Sequence, residues 1–401
     1  MAKSATASDL TPTPADRFTF GLWTVGNPGR DPFGGPTRPQ LEPAKIVEML
    51  GEVEGVYGVN FHDNDLIPLD AAEAEAAQIK KDFKKALRKT GLKVPMATTN
   101  LFGDPVFKDG AFTSNDAEVR AYALQKTMRA MELGKEFGAK IYVMWGGREG
   151  CETDAAKDPV VAFERYRKAI DFLCEFNLDR KLNYKFALES KPNEPRGHIY
   201  NAVTGSYLGL IAQLKHPEMV GVNPEVAHEH MAGLNFVHHV AQAIDADKLF
   251  HIDLNDQEFG RFDQDFRFGA VSYKHAFFLV KLLTDRGYKG NKHFDAHAFR
   301  TSDYDDVKNF AAGCMRTYKI LEHKTRQFNA DKDIQKILKQ VDRGDAEFDK
   351  LTAKFSKTSA KKLLDTEFTR EKIAAKPLPY EKLDQLTFDL LMGMRGAGSG
   401  E

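Results

Sequence analysis

Three cysteines in 401 residues, Cys151, Cys174 and Cys314, are too few and too scattered for a disulfide framework, and no Cys-x-x-Cys pair offers a sulfur metal site. They suit a reducing compartment. No run approaches the 18 or so uninterrupted apolar residues of a membrane helix. Charge of one sign is missing too: 57 Lys and Arg face 58 Asp and Glu, a formal net charge of −1. A dedicated nucleic-acid binder carries a basic excess, so nucleic acid is not the expected partner. Neither G-x-G-x-x-G nor G-x-x-x-x-G-K-[ST] follows the first strand candidate, which weakens a nucleotide-binding sheet. The segment Met1–Asp16 is small and polar and lacks the apolar centre of a signal peptide. A soluble, cytoplasmic protein without a membrane partner is expected.

What is present is a large hydrophobic complement, 42%, enough for a full core. Up to about residue 322, short β-rich runs alternate with amphipathic segments. Strands are expected at Phe18–Leu22, Val56–Phe61, Lys93–Ala97, Lys140–Met144, Tyr184–Leu188, Met219–Val222, Leu249–Ile252 and Lys292–Phe294. Helices are expected after each, at 44–52, 72–90, 117–137, 160–178, 201–214, 231–244, 273–286 and 304–322. Eight strands and eight helices in alternation predict an α/β fold, a (β/α)8 TIM barrel, ahead of an open doubly wound sheet. Residues 323–401 are rich in Lys, Asp and Glu, yet keep Phe348, Phe355, Leu364, Phe368, Ile373, Tyr380 and Phe388. A disordered tail would not keep them. The expected division is a catalytic barrel over 1–322 and an extended C-terminal helical arm over 323–401 that lays its apolar side on a neighbouring subunit, with a cap on its own barrel as the alternative.

Barrel chemistry sits at the C-terminal ends of the strands. Those ends carry Trp23, His62-Asp-Asn-Asp65, Thr98-Thr-Asn100, Trp145-Gly-Gly-Arg-Glu149, Glu189-Ser-Lys191, Asn223-Pro-Glu225 with His228 beyond, Asp253 with Asp263 and Asp265 in its loop, and Asp295. Six carboxylates on one rim cannot all be ionised unaided, since like charges about 4 Å apart repel by roughly 4 kcal/mol at a surface-like dielectric. A single Asp at a strand end more often caps the next helix. Four consecutive acidic strand ends are not explained that way. Oxygen-rich ligation with one His suits hard divalent ions such as Mg²⁺ or Mn²⁺ rather than Zn²⁺, and the carboxylate count suits two ions sharing a bridging carboxylate. His230, His238 and His239 are set aside as helix-surface or packing residues. Trp23, Phe102 and Trp145 are equally consistent with core and with pocket walls.

At these positions the sequence resembles the xylose isomerase family, in the shorter of its two classes. The resemblance is carried by Phe18-Thr-Phe-Gly-Leu-Trp-Thr-Val-Gly26, Phe61-His-Asp-Asn-Asp-Leu-Ile-Pro68, Val94-Pro-Met-Ala-Thr-Thr-Asn-Leu-Phe102 and Trp145-Gly-Gly-Arg-Glu-Gly150. Lys191-Pro-Asn-Glu-Pro-Arg-Gly197, Val222-Asn-Pro-Glu-Val-Ala-His-Glu229, Phe250-His-Ile-Asp-Leu-Asn255, Phe262-Asp-Gln-Asp265 and His293-Phe-Asp-Ala-His297 complete it, over about residues 17–322. It implies interconversion of D-xylose and D-xylulose, and of D-glucose and D-fructose, by ring opening and a 1,2-hydride shift. It implies two divalent cations per subunit (Mg²⁺, Mn²⁺ or Co²⁺). Glu189, Glu225, Asp253 and Asp295 would hold the ion that binds the open-chain sugar, and Glu225 would bridge to a second ion held by His228, Asp263 and Asp265. His62, oriented by Asp65, would assist ring opening, and Lys191 would hydrogen-bond the oxygen on C1. Trp23, Phe102 and Trp145 would wall the substrate pocket, with Thr98 beside them and Phe33 reaching into a neighbouring subunit's pocket. A homotetramer joined through the arm is implied.

The chain departs from common family patterns at Asn27, where some members have Trp, at Ser190, where Pro is usual, at His198, a frequent Asp, and at His297, a Lys in one branch. Lys191, beside two cations, is expected to lose its proton more readily than a free lysine. The rival readings are a barrel epimerase or phosphodiesterase, which the acid-rich loop 253–268 disfavours for phosphate substrates, and a non-catalytic sugar-binding protein, which needs neither Lys191 nor His62 with Asp65.

Overall fold

The computed structural model describes residues 10–395; the polar leader up to Asp9 and the Gly-rich end from Gly396 lie outside them. These residues fall into two compact units, 10–321 and 322–395. In the first, seven parallel strands, β1 (Phe18–Gly21), β2 (Val56–His62), β3 (Met96–Thr98), β4 (Ile141–Trp145), β5 (Lys185–Glu189), β6 (Val220–Val222) and β7 (Lys292–Phe294), pair in the order β6-β5-β4-β3-β2-β1-β7. A doubly wound sheet would reverse order part-way, and this one does not.

The eighth staff of the barrel, expected at 249–252, forms only isolated parallel bridges, Val222 with Leu249, Glu225 with Asp253 and Asp253 with His293. It still spans the gap between β6 and β7, so the ring closes. The ladder is broken for two reasons. Phe250 N and His251 N both donate to Val222 O, at 3.3 Å each, and Pro224 has no N–H to return. Pro95 likewise delays β3, expected from residue 93: Lys93 makes a lone bridge to Gly58 before the regular pairing starts at Met96.

Helices between the strands start and stop where their ends are capped. Asp116 accepts from Glu118 N ahead of Ala117–Phe137, and Gly138, at φ 95°, ends that helix in the left-handed region. Asp158 caps Pro159–Asp179, which opens on its proline. The helix expected over 231–244 is instead two, Val226–Met231 and Phe236–Asp245, parted at Gly233 with φ 71°. The helix expected over 304–322 runs on to Ala330, because no Gly or Pro interrupts it after Gly313 and Asp331 caps the next helix, Lys332–Val341. Inside the barrel, Met96, Val143 and Ala187 form an apolar layer joined by Trp23, Ile141 and Phe250.

The second unit continues with helices Ala346–Thr352, Lys357–Asp365, Arg370–Ala374 and Tyr380–Leu391. Helix Lys332–Val341 buries Ile334 and Ile337, and Arg395 clamps its start through Asp331 at 3.1 Å and Asp333 at 2.6 Å. Much of the remaining apolar surface is open: Phe355 is 81% and Leu364 86% exposed. Among the described residues, no helix is long and apolar enough to cross a membrane.

Candidate metal centre and sugar pocket

Strand ends and the segments that follow them deliver the acids. Glu189 is the last residue of β5, Glu225 precedes helix Val226–Met231, which carries His228, and Asp253 lies on the bridging staff. The loop beyond it folds back through an antiparallel bridge between Asp256 and Phe266, which brings Asp263 and Asp265 to the same place. Asp295 follows β7.

Three groups of potential ligand atoms each lie within 4.8 Å of one another: Glu189, Glu225 and His228; Glu225, Asp253 and Asp295; Glu225, Asp263 and Asp265. Glu225 belongs to all three. His228 Nε2 stands 3.3 Å from both Glu225 Oε1 and Asp263 Oδ2, and His228 Nδ1 3.5 Å from Glu189 Oε1. Two buried amides brace the group. Asn223 donates to Glu189 (3.0 Å) and Asp253 (2.7 Å), while Asn255 donates to Glu225 (2.7 Å) and Asp265 (2.9 Å).

Electrostatics mark the cluster as under-compensated. Burial, then Asp253 and Asp295, push Glu189 well above the carboxylate range; burial, then Asp263 and Asp295, do the same to Glu225, and burial with Asp263 to Asp265. Asp295 is raised to about 8 by burial and by Asp253. Burial would raise Asp253 and Asp263 as well. Instead His293 and His251 hold the first below its ordinary value, and Lys191 and His228 the second. Buried Asp253 Oδ1, Asp263 Oδ1 and His228 Nδ1 have no well-directed hydrogen bond. Hard oxygen donors with one imidazole, orphaned atoms among them and unrelieved repulsion fit divalent cations.

Trp23, His62, Thr98, Phe102 and Trp145 line a pocket of about 160 Å³ together with Glu189, Glu225, His228, Asp253, Asp263, Asp265 and Asp295; Met96 and Val143, not singled out in the sequence, join them. Trp23 Nε1 donates to Asp295 at 2.7 Å, and the Phe102 and Trp145 rings meet edge-on at 4.5 Å. Phe33 is fully exposed and is not part of this lining. Asp65 holds His62 at 2.8 Å through Nδ1 and at 2.8 Å through its backbone N–H. Their short helix, Asp63–Leu66, is tied down by Asp63, which accepts from Asn100 N (2.9 Å) and from buried Lys126. Burial would lower the His62 pKa, but Asp65 outweighs it and raises it.

Lys191 faces carboxylates on two sides. Its Nζ lies 2.8 Å from Asp263 Oδ2 and 3.3 Å from Glu194, over the Trp145 ring. Burial favours the neutral amine, but these carboxylates win and lift its pKa above the lysine range. Glu194 was missed: it also accepts from Asp263 N at 3.0 Å. His230 stacks on Phe259 at 4.3 Å and His239 Nδ1 lies 3.3 Å from Glu229, and neither lines the pocket.

Residues 52–309 match the model of the family described as xylose isomerase-like TIM barrel. The xylose isomerase of Thermus thermophilus is 53% identical over 385 residues, 96% of this chain and 99% of the relative; that of Thermus caldophilus is 51% identical over the same shares. The chain belongs to the xylose isomerase family. Solved structures of more distant barrels share the fold: a D-tagatose 3-epimerase-like protein (TM-score 0.56, 14% identity, covering 77% of this chain and 99% of that one) and the 3-keto-D-glucoside 4-epimerase of E. coli (TM-score 0.54, 14% identity, covering 74% and 98%).

Within the xylose isomerase frame, the departing residues leave the candidate ligands in place. Ser190 Oγ donates to Glu229 Oε1 at 3.5 Å, and Glu229 accepts from Thr204 N and Oγ1 at 2.8 and 2.6 Å. His297 donates its backbone N–H to Asp265 O at 3.1 Å, so it supports the second acid pair through the main chain. Asn27 accepts from Gly29 N at 2.8 Å, and His198 is exposed.

Proposed function

We propose that this protein is a metal-dependent aldose–ketose isomerase that interconverts D-xylose and D-xylulose, and D-glucose and D-fructose, by ring opening and a 1,2-hydride shift. The observation that carries the reading is Glu225, common to three groups of acidic and imidazole ligands at one barrel mouth. Glu189, Glu225, Asp253 and Asp295 would hold one divalent cation, and Glu225, His228, Asp263 and Asp265 would hold another, with Mg²⁺, Mn²⁺ or Co²⁺ as candidates. When bound, the two ions polarise the sugar's carbonyl and hydroxyl oxygens and offset the carboxylate charge.

The chain does the rest. His62 gives its Nδ1 proton to the hydrogen bond with Asp65, which leaves Nε2 to exchange a proton with the cyclic sugar as the ring opens. Lys191, whose Nζ faces Asp263 and Glu194, donates to the oxygen on C1. Trp23, Phe102 and Trp145, with Met96 and Val143, keep water away while hydrogen passes between C1 and C2. The protein belongs to the shorter class of its family and works in the cytoplasm. The barrel, residues 1–322, is catalytic, and the arm, 323–401, wraps a neighbouring subunit in a homotetramer, in which Phe33 enters a neighbour's pocket. Chelated protein given Mg²⁺, Mn²⁺ or Co²⁺ and xylose forms a ketose, with deuterium from C2 retained at C1 in ordinary water; no ketose, or washout of the label, overturns the reading.

A further inference from the structure

Asn223, at the end of β6, is completely buried. Its Nδ2 lies 3.0 Å from Glu189 Oε2 and 2.7 Å from Asp253 Oδ2. Carboxylates that hold a cation are ionised and only accept, so in that state both contacts need N–H donors, and the amide has two. Its oxygen is thereby turned the other way, to His251 Nδ1 at 3.0 Å, which must carry the proton. The same Nδ1 stands 3.1 Å from Asp253 Oδ1. Beyond His251, at 5.7 Å between rings, His293 is set the opposite way: Asn60 Oδ1 accepts from Met96 N, so Asn60 Nδ2 donates to a bare His293 Nδ1 at 2.9 Å. Asn60, His251 and His293 are fully buried, like Asn223. A flip of the Asn223 amide would set its oxygen against two carboxylates and its N–H₂ against an N–H, losing three hydrogen bonds with no water to replace them.

We infer that Asn223, locked by His251, is a positioning residue for the sugar-side cation alone. It grips one oxygen each of Glu189 and Asp253 and leaves Glu189 Oε1 and Asp253 Oδ1 for ligation. A neutral amide does this with no charge of its own, so the half-site stays formed when the ion leaves. Asp263, Asp265 and His228, which complete the other site, receive nothing from it. The inference rests on the two-cation reading above.

The test titrates chelated full-length protein with Co²⁺ alone, by calorimetry and by the visible absorption of the bound ion. Wild type takes up two ions. Asn223→Ala weakens one step by about tenfold or more, the usual cost of losing such a support, and leaves the other within about twofold. His251→Leu shifts the same step, while His251→Asn, which keeps an N–H at the δ position, restores it. With saturating Co²⁺, the KM for xylose returns towards wild type in Asn223→Ala. Equal weakening of both steps, no weakening, or His251→Leu without effect overturns the inference. If Asn223→Ala does not fold, as judged by circular dichroism, the two His251 variants decide. Failure of the wild type to bind Co²⁺ overturns the two-cation reading itself, a result plainly distinct from the others.

Discussion

The barrel unit and the helical unit that follows it invert the usual relation between burial and charge. In residues 10–321, the most buried level of the mouth is crowded with acids, while in 322–395 large apolar side chains such as Phe355 and Leu364 stand in the open. Each arrangement costs stability in isolation, for a different reason: carboxylates repel in a low dielectric, and exposed aromatics order water. On the reading proposed above, each would be relieved by something from outside, ions in one case and another protein surface in the other. Chemistry and assembly would then be separated along the chain, since every candidate ligand belongs to the barrel unit.

That contrast is open to attack in several ways. The largest expected effect is at the shared ligand: Glu225→Gln should cut kcat/KM for xylose by on the order of 10³-fold or more and weaken both Co²⁺ steps, since it touches every ligand group. Lys191→Met should lower kcat by roughly 10²-fold and leave Co²⁺ uptake intact, if, as proposed, it removes a donor to the sugar and not a ligand. Chelation should lower the melting temperature by roughly 5–10 °C, measured calorimetrically, as loss of ions held at about 100 Kd removes about 2.7 kcal/mol each. An unmoved transition would sink the idea of a self-repelling cluster.

The chelated protein should also lose stability as pH rises. Asp295 keeps its proton up to about 8 when folded, against an ordinary value of 3.8. The folded chain therefore holds more protons than the unfolded one between those values, and its melting temperature falls across that window. Saturating Mn²⁺ should flatten the profile. The smallest effect on the site is expected from Phe355→Asp combined with Leu364→Asp: a smaller species in sedimentation, with two Co²⁺ still bound per chain. Loss of ion binding there would erase the separation between the two units.

Much of this was legible in the sequence because strand ends are easy to see and acids there are rarely idle. Glu189, Glu225, Asp253 and Asp295 each follow a β-rich run, and periodicity alone places them on one rim. Asn223 and Asn255 were not legible as supports, since asparagine beside a turn is ordinary, and only coordinates show each amide spanning two carboxylates. The partners of Lys191 were not legible either, since Asp263 is distant in sequence and Glu194 sits in a loop, and both turn towards it. The staff at 249–252 looked like any other strand. Nothing local announces that Pro224, on its neighbour, has no proton to share.

That imperfect staff has a consequence for how the barrel breathes. Closed rings resist fraying because no edge is free, but this one has a seam sewn with a few stitches, Leu254 N to His293 O at 2.8 Å and Asp253 N to Pro224 O at 3.1 Å among them. Asp253 sits on the seam itself. An ion held by Asp253 on one side and by Glu225 and Asp295 on the other would act as a rivet across the joint, so amide protons there should exchange fastest in stripped protein and slow most when the rivet is in place.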